Sequence, residues 1–166
     1  MKNTHTTQKG FSLFEVVIYI GLFSICIGGV LVGTYNMIES NQRNQTQSNM
    51  EIEGQFILSK TGWLISTAQL VSTPAPGTNT STLTVTPYDT STYHQYTIST
   101  VAHAITLTRG NQTPQILNDP TIDVSNISFS RTNEVESAIT TTFTLTTRTP
   151  QGATLSHTFS EIFYVY

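Results

Sequence analysis

The stretch that decides the fold is FSLFEVVIYIGLFSICIGGVLVG, which runs from Phe11 to Gly33 and carries a single charge, that of Glu15. As a helix it would be about 35 Å long, enough to cross a hydrocarbon core of about 30 Å. The ten residues before it, MKNTHTTQKG, are polar and include Lys2 and Lys9 but no acid. Because basic residues favour the cytoplasmic side, we expect the N-terminus to stay inside and the remainder to be exported.

The apolar stretch is too long for a secretory signal peptide, whose apolar region has roughly 7–15 residues before a cleavage site. A plain signal anchor fits its length and its flanks but gives no role to Glu15. An acid within the membrane costs on the order of 3 kcal/mol, so such residues usually serve a function. The position of Glu15 therefore indicates a segment that does more than anchor the chain.

The residues from Lys9 to Val16, KGFSLFEV, resemble the class III leader of type IV prepilins and type II secretion pseudopilins, in which Gly is followed by Phe-[Ser/Thr]-Leu-x-Glu. This resemblance covers about 25 residues. It implies cleavage after Gly10 by a membrane prepilin peptidase and methylation of the new α-amino group on Phe11. The partners that it implies are this peptidase, other pilin or pseudopilin subunits, the assembly platform in the cytoplasmic membrane, and membrane lipid before assembly.

Glu15 would be the fifth residue of the processed chain, where that family carries its acid. A buried carboxylate needs a partner. The resemblance implies that this partner is the α-amino group of Phe11 in a neighbouring subunit. Such a pair would align each helix along the fibre, because an error of one turn would leave both charges unpaired. We therefore expect Gly10 and Phe11 to direct processing, and Phe11 and Glu15 to direct assembly.

Glycines are frequent within the apolar stretch, and two interpretations of them stay open. Gly28 and Gly29 would form a soft point where the helix stretches when it leaves the membrane. Alternatively, Gly29 and Gly33 form a small-residue packing face. Cys26 is the single cysteine, which excludes an intrachain disulfide and any multi-cysteine metal site.

The helix is predicted to continue from Thr34 to Leu70, first as a polar segment and then with one apolar face. That face consists of Ile52, Phe56, Trp63 and Leu70, with Ile57, Leu64 and Ile65 beside them. We expect Phe56 and Trp63 to lie in the core, with an aromatic ligand platform as the alternative. Gly54 and Gly62 weaken the helical pattern, and the sequence STPAPG at 72–77 ends it.

After residue 77 the pattern changes to the alternation that is typical of strands. Strands are predicted near 82–86, 96–99, 104–108, 123–130, 140–147 and 153–166, with a hairpin turn at 101–103 and another turn at 149–152. Of the 31 threonines in the chain, 24 follow Leu70. We expect threonine to form the outward face of an antiparallel sheet whose inward face is apolar.

The predicted fold is therefore α+β. It resembles the pilin lollipop, in which a long N-terminal helix has a transmembrane half and an amphipathic half that packs on an antiparallel β-sheet head. The expected division is a cleaved leader (1–10), a transmembrane or filament-core helix (11–33), a helix continuation on the head (34–73) and a β-rich head (78–166). The layout is most similar to J-type minor pseudopilins and minor pilins. The absence of a C-terminal cysteine pair departs from many Gram-negative major pilins.

Composition argues against catalysis and nucleic-acid binding. Charged residues make up 10% of the chain, against about 25% in typical domains, and the net charge is −3. No nucleophile or phosphate-loop motif occurs, and few residues are suited to acid–base catalysis. The few Lys and Arg residues are scattered, so no direct nucleic-acid contact is expected. We expect no cofactor.

Metal binding is also not expected. The histidines, at positions 5, 94, 103 and 157, have no paired spacing. Asp119 and Asp123 flank Pro120 and offer a calcium hypothesis, but one pair of carboxylates falls short of the six to eight oxygens that Ca²⁺ requires.

The sequence predicts a structural minor subunit of a type IV pilus or a type II secretion pseudopilus. It would be inserted in the cytoplasmic membrane and then built into an extracellular or periplasmic filament. Two alternatives remain: a surface adhesin or binding module held by a signal anchor, and a major pilin of the same machinery.

Overall fold

The computed structural model describes residues 10, 12–88, 95–133 and 137–165. The chain divides into two units, Met1–Asn41 and Gln42–Tyr166. One helix, α1, runs from Leu13 to Ser66. It begins where the backbone N–H groups of Glu15 and Val16 donate to the carbonyl oxygen of Ser12, at 3.0 and 3.2 Å.

In the first unit, the apolar side chains of α1 are exposed around the whole helix. The helix contains an 18-residue window with a mean hydropathy of 2.4, so its length and composition suffice to cross a membrane. A helix that is apolar on all sides has to be covered by lipid or by other helices.

In the second unit, the last part of α1 packs against antiparallel sheets, which is the α+β, pilin-like layout that the sequence predicts. A five-stranded sheet has the order β1-β3-β4-β5-β6, and a four-stranded sheet has the order β2-β7-β8-β9. The strands are β1 (Ala68–Thr73), β2 (Asn79–Thr80), β3 (Leu83–Pro87), β4 (Tyr96–Val101), β5 (Ala104–Arg109), β6 (Gln115–Ile116), β7 (Ile122–Arg131), β8 (Ala138–Arg148) and β9 (Thr154–Tyr164).

The helix is shorter than predicted, since it ends at Ser66 rather than at Leu70. Thr67 caps it: its backbone N–H and its hydroxyl donate to the carbonyl oxygen of Trp63, at 3.1 and 2.9 Å. Residues 68–73 then form β1, which pairs with β3 and buries Ala68 and Val71. The expected helix over 34–73 is therefore wrong beyond Ser66, because strand pairing and burial outweigh continuation of the helix.

Two glycines let β9 approach α1 closely. A Cβ on Gly54 would overlap the ring of Phe159, and one on Gly62 would lie 2.6 Å from Cε1 of Phe163. Eight helical residues span about 12 Å and four strand residues span about 13 Å, so the two glycines match the spacing of the two rings. The glycines that weaken the helical pattern in the sequence are therefore the positions at which aromatic side chains of β9 pack against α1.

The threonines of β8 alternate as predicted, with Phe143 and Leu145 fully buried on the inward face. On the outward face, hydroxyl groups pair across β8 and β9. These cross-strand pairs are Thr142 with Ser160, Thr144 with Thr158, and Thr146 with Ser156, at 3.1, 3.0 and 3.4 Å. Threonine is not confined to that face, because Thr61 and Thr141 are fully buried in the core.

Asn118 joins the two sheets. Its Oδ1 accepts from the backbone N–H of Ile105 in β5 at 2.8 Å, and its Nδ2 donates to the carbonyl oxygen of Ile122 in β7 at 2.6 Å. A direct backbone bond adds to this link, since the N–H of Val124 donates to the carbonyl oxygen of His103 at 2.7 Å. Asn118 is buried, so the backbone groups that it contacts depend on its side chain rather than on water for their hydrogen bonds.

Candidate functional site

Glu15 lies in the first turn of α1, where the positive end of the helix dipole favours a carboxylate. Its Oε1 accepts a hydrogen bond from the Tyr19 hydroxyl at 3.4 Å. Within the described residues Glu15 forms no ion pair with a basic group. The hydroxyl of Tyr19 thus gives the carboxylate one polar contact in an otherwise apolar helix surface.

Of the other two predicted site residues, Gly10 is described by the structure and Phe11 is not. Gly10 is exposed, with nothing within 4 Å of the position that a Cβ would take. Phe11 lies outside the described residues, as does the leader up to Lys9. The structure therefore places Glu15 and Gly10 but brings neither of them to Phe11.

Tyr19 was missed by the reasoning from sequence. The signal was present, because side chains four positions apart on a helix are neighbours and a hydroxyl is a donor for a carboxylate. A search of the apolar stretch for polar residues one turn from Glu15 would have found it.

The glycines of the apolar stretch make no contacts of their own. A Cβ at Gly21, Gly28, Gly29 or Gly33 would meet nothing within 4 Å. The helix is continuous through Gly28 and Gly29. Within the described residues the space beside these glycines is open, so both the soft-point and the packing-face interpretations remain predictions.

The expectation that Phe56 and Trp63 lie in the core is wrong. Phe56 is 42% exposed and Trp63 is 48% exposed. The buried core positions of this part of α1 include Ile57, Leu64 and Ile65 instead. The apolar residues of the helix form two adjacent faces, and the larger rings fall on the outer one. Trp63 and Phe56 are therefore surface residues of the head.

The histidines that the structure describes do not converge. His103 lies in the β4–β5 turn, and Nδ1 of His157 lies 3.1 Å from Oε2 of Glu51. His94 lies outside the described residues. In the described part of the chain, no three His, Cys, Asp or Glu residues are grouped so that they could hold a metal ion.

Asp119 has an internal role in its loop. Its Oδ1 accepts from the hydroxyl and the backbone N–H of Thr121, at 2.6 and 2.8 Å, and the Thr121 hydroxyl is the main reason that the pKa of Asp119 is lowered. Its own N–H donates to Glu53 of α1 at 2.7 Å. These hydrogen bonds hold the loop together and against α1, and no group of three metal-binding side chains among the described residues supports the calcium hypothesis.

These observations define a class of protein: an α+β head on an N-terminal helix that is apolar enough to span a membrane and that carries one acid in its first turn. Residues 5–31 match the family model described as the prokaryotic N-terminal methylation motif. This match to the N-terminal motif supports a type IV pilin or pseudopilin family member. No curated protein and no solved structure matches the chain.

Proposed function

We propose that this chain is a minor subunit of a type IV pilus or a type II secretion pseudopilus. The observation that carries the proposal is the match of residues 5–31 to the methylation motif, because that range includes Gly10, Phe11 and Glu15. Prepilin peptidase cleaves after Gly10, and the new α-amino group of Phe11 is methylated. The processed chain enters a fibre through its apolar helix.

Glu15 sets the axial position of each subunit. Before assembly its carboxylate keeps the hydrogen bond from Tyr19, which is long at 3.4 Å and comes from an uncharged donor. In the fibre it gains the charged α-amino group of a neighbouring Phe11, so both partners carry charge and their attraction is strengthened by the apolar surroundings. This exchange of partners favours the register in which the two charges meet.

Processing is tested by mass spectrometry of the N-terminus of the chain purified from membranes. A chain that begins at methylated Phe11 is expected. A chain that retains Met1 would contradict the proposal and would favour a signal-anchored adhesin or binding module.

Assembly is tested with Glu15→Val, for which we expect normal cleavage but strongly reduced incorporation into fibres. Glu39→Val is the matched control, since Glu39 lies on the same helix beyond the apolar stretch and its side chain is exposed. Incorporation of Glu15→Val at the level of the control would refute the role given to Glu15.

The minor rather than the major role is supported by the layout, which is similar to that of J-type minor pseudopilins and minor pilins. A minor subunit initiates or caps the fibre and is present in few copies. The amount of this chain in purified fibres, compared with the most abundant subunit, tests this point. A chain that makes up most of the fibre mass would make it a major pilin.

A further inference from the structure

A cationic aromatic patch lies on the outward face of α1 in the head. Nζ of Lys60 lies 5.8 Å from the ring centroid of Phe56 and 5.7 Å from that of Trp63. Trp63 meets Tyr96 edge to face, with 6.3 Å between the ring centroids, and Cζ of Arg109 lies 6.0 Å from the Tyr96 ring. We use the term cationic aromatic patch for these five residues.

The two cations of the patch have no acidic partner among the described residues. Neither Lys60 nor Arg109 forms an ion pair with a carboxylate in the described part of the chain. Contacts with aromatic rings leave the positive charges available to a carboxylate that approaches from outside. Trp, Tyr and Arg are also the residue types that contribute most of the binding energy in protein interfaces. The patch therefore fits a protein surface that presents a carboxylate beside apolar side chains.

The same chain carries such a surface at the end of β9. Glu161 is exposed and forms no ion pair or side-chain hydrogen bond within the described residues. Ile162 and Tyr164 beside it are 57% and 56% exposed. Along β9, Glu161 lies on the same face as Phe159 and Phe163, whereas Ile162 and Tyr164 lie on the opposite face. Since β9 is the edge strand of its sheet, side chains on both faces are reachable from its free edge. We call these three residues the acidic apolar patch.

The two patches lie on different flanks of α1. Gly62 faces Phe163 of β9, whereas the next residue, Trp63, is turned by about 100° and contacts Tyr96 of the other sheet. Surfaces that are complementary but separate on one molecule can join two copies head to tail. A second copy thus supplies what each patch lacks.

We propose that the cationic aromatic patch of one copy binds the acidic apolar patch of a second copy. Lys60 and Arg109 face Glu161 across this contact, and Trp63 packs against Ile162 and Tyr164. The placement of this contact within a fibre rests on the proposed function, but the contact itself does not require processing of the N-terminus.

Disulfide cross-linking of the full chain in lipid vesicles tests the contact. Cys26→Ser removes the natural thiol, and Ser59→Cys and Ser160→Cys then place one thiol beside each patch in separately tagged chains. A product between the two different variants is expected, about fivefold above the products within either variant alone. Equal yields of all three products would overturn the proposal.

Charge reversal gives a second test in the same cross-linking background. Lys60→Glu and Glu161→Lys are each expected to lower the yield about fivefold, and the chain that carries both changes is expected to restore it. Arg148→Glu and Asp123→Lys are matched exposed controls that should leave the yield unchanged. Failure of the double change to restore cross-linking, with folding verified by circular dichroism, would overturn the proposal.

Three further outcomes separate this inference from its alternatives. A methylated, fibre-incorporated chain that gives no product between positions 59 and 160 would overturn the inference alone, whereas the product from a chain that retains Met1 would uphold it and refute the proposed processing. Trp63 is the only tryptophan, so its fluorescence reports on the patch. Quenching by polygalacturonate or oligothymidylate, without cross-linking, would assign the patch to a free polyanion and overturn the proposal.

Discussion

Replacing Gly54 with alanine should destabilise the head, although alanine is the better helix former. The gain in helix propensity is about 1 kcal/mol. Against it, the new methyl group would overlap the ring of Phe159, and overpacking of a core typically costs about 1–3 kcal/mol. The ring cannot move away freely, because it is buried and stacks on Phe143 with 5.4 Å between the centroids. We therefore take the upper part of that range and expect a net loss of about 2 kcal/mol.

Thermal unfolding of the full chain in detergent micelles, followed by near-ultraviolet circular dichroism, measures this loss. For a unit of this size, about 2 kcal/mol corresponds to a fall in Tm of roughly 6 °C. Ser59→Ala, at an exposed position of the same helix, is the matched control and should raise Tm slightly. In a Phe159→Leu background the Gly54→Ala penalty should largely disappear. A Gly54→Ala chain that is as stable as the Ser59→Ala control would refute the reasoning.

Three other substitutions test the head. Thr141→Val should raise stability by about 1 kcal/mol in the same unfolding assay, because its buried hydroxyl has no partner among the described residues, whereas Thr61→Val removes a bond to the carbonyl oxygen of Ile57 and should not. Asn118→Ala should cost about 3 kcal/mol by leaving backbone groups of both sheets unpaired, and the exposed Asn111→Ala should be neutral. Thr121→Val should raise the pKa of Asp119 in an NMR titration. Because the pKa of Asp119 is lowered in the folded chain, its contribution to stability is present above its unfolded pKa and is lost as the pH falls through its folded pKa. The stabilities of the variant and the natural chain should therefore differ at neutral pH but not in strong acid.

The longer strands could be predicted because their signal is local. Phe143 and Leu145 alternate with threonine and are buried as the period of two requires. The β4–β5 hairpin was also predictable, and its turn residues Ala102 and His103 adopt positive φ angles of 49° and 66° without a glycine. The match of residues 5–31 likewise rests on consecutive residues that can be read directly.

The features that the sequence did not predict depend on how separate segments of the chain pack together. The strands β2 and β6 have two residues each and exist only because β7 and β5 pair with them. A single sheet was expected, but the strands divide into two sheets between β6 and β7, with β2 joining the second sheet. Alternation identifies strands without saying whether one strand pairs with the next. The exposure of Trp63 could not be foreseen either, because periodicity identifies apolar faces without saying which of two adjacent faces is covered.

The cross-strand hydroxyl pairs of β8 and β9 have a consequence for how the head responds to its surroundings. None of the six hydroxyl groups ionises in the pH range where proteins fold, so protonation cannot alter the pairs. Neutral hydrogen bonds are also little affected by dissolved ions, whereas exposed ion pairs weaken as salt rises. This face of the sheet should therefore keep the same structure in acidic, neutral, dilute and saline water, which suits the proposed export of the head into a medium that the cell does not control.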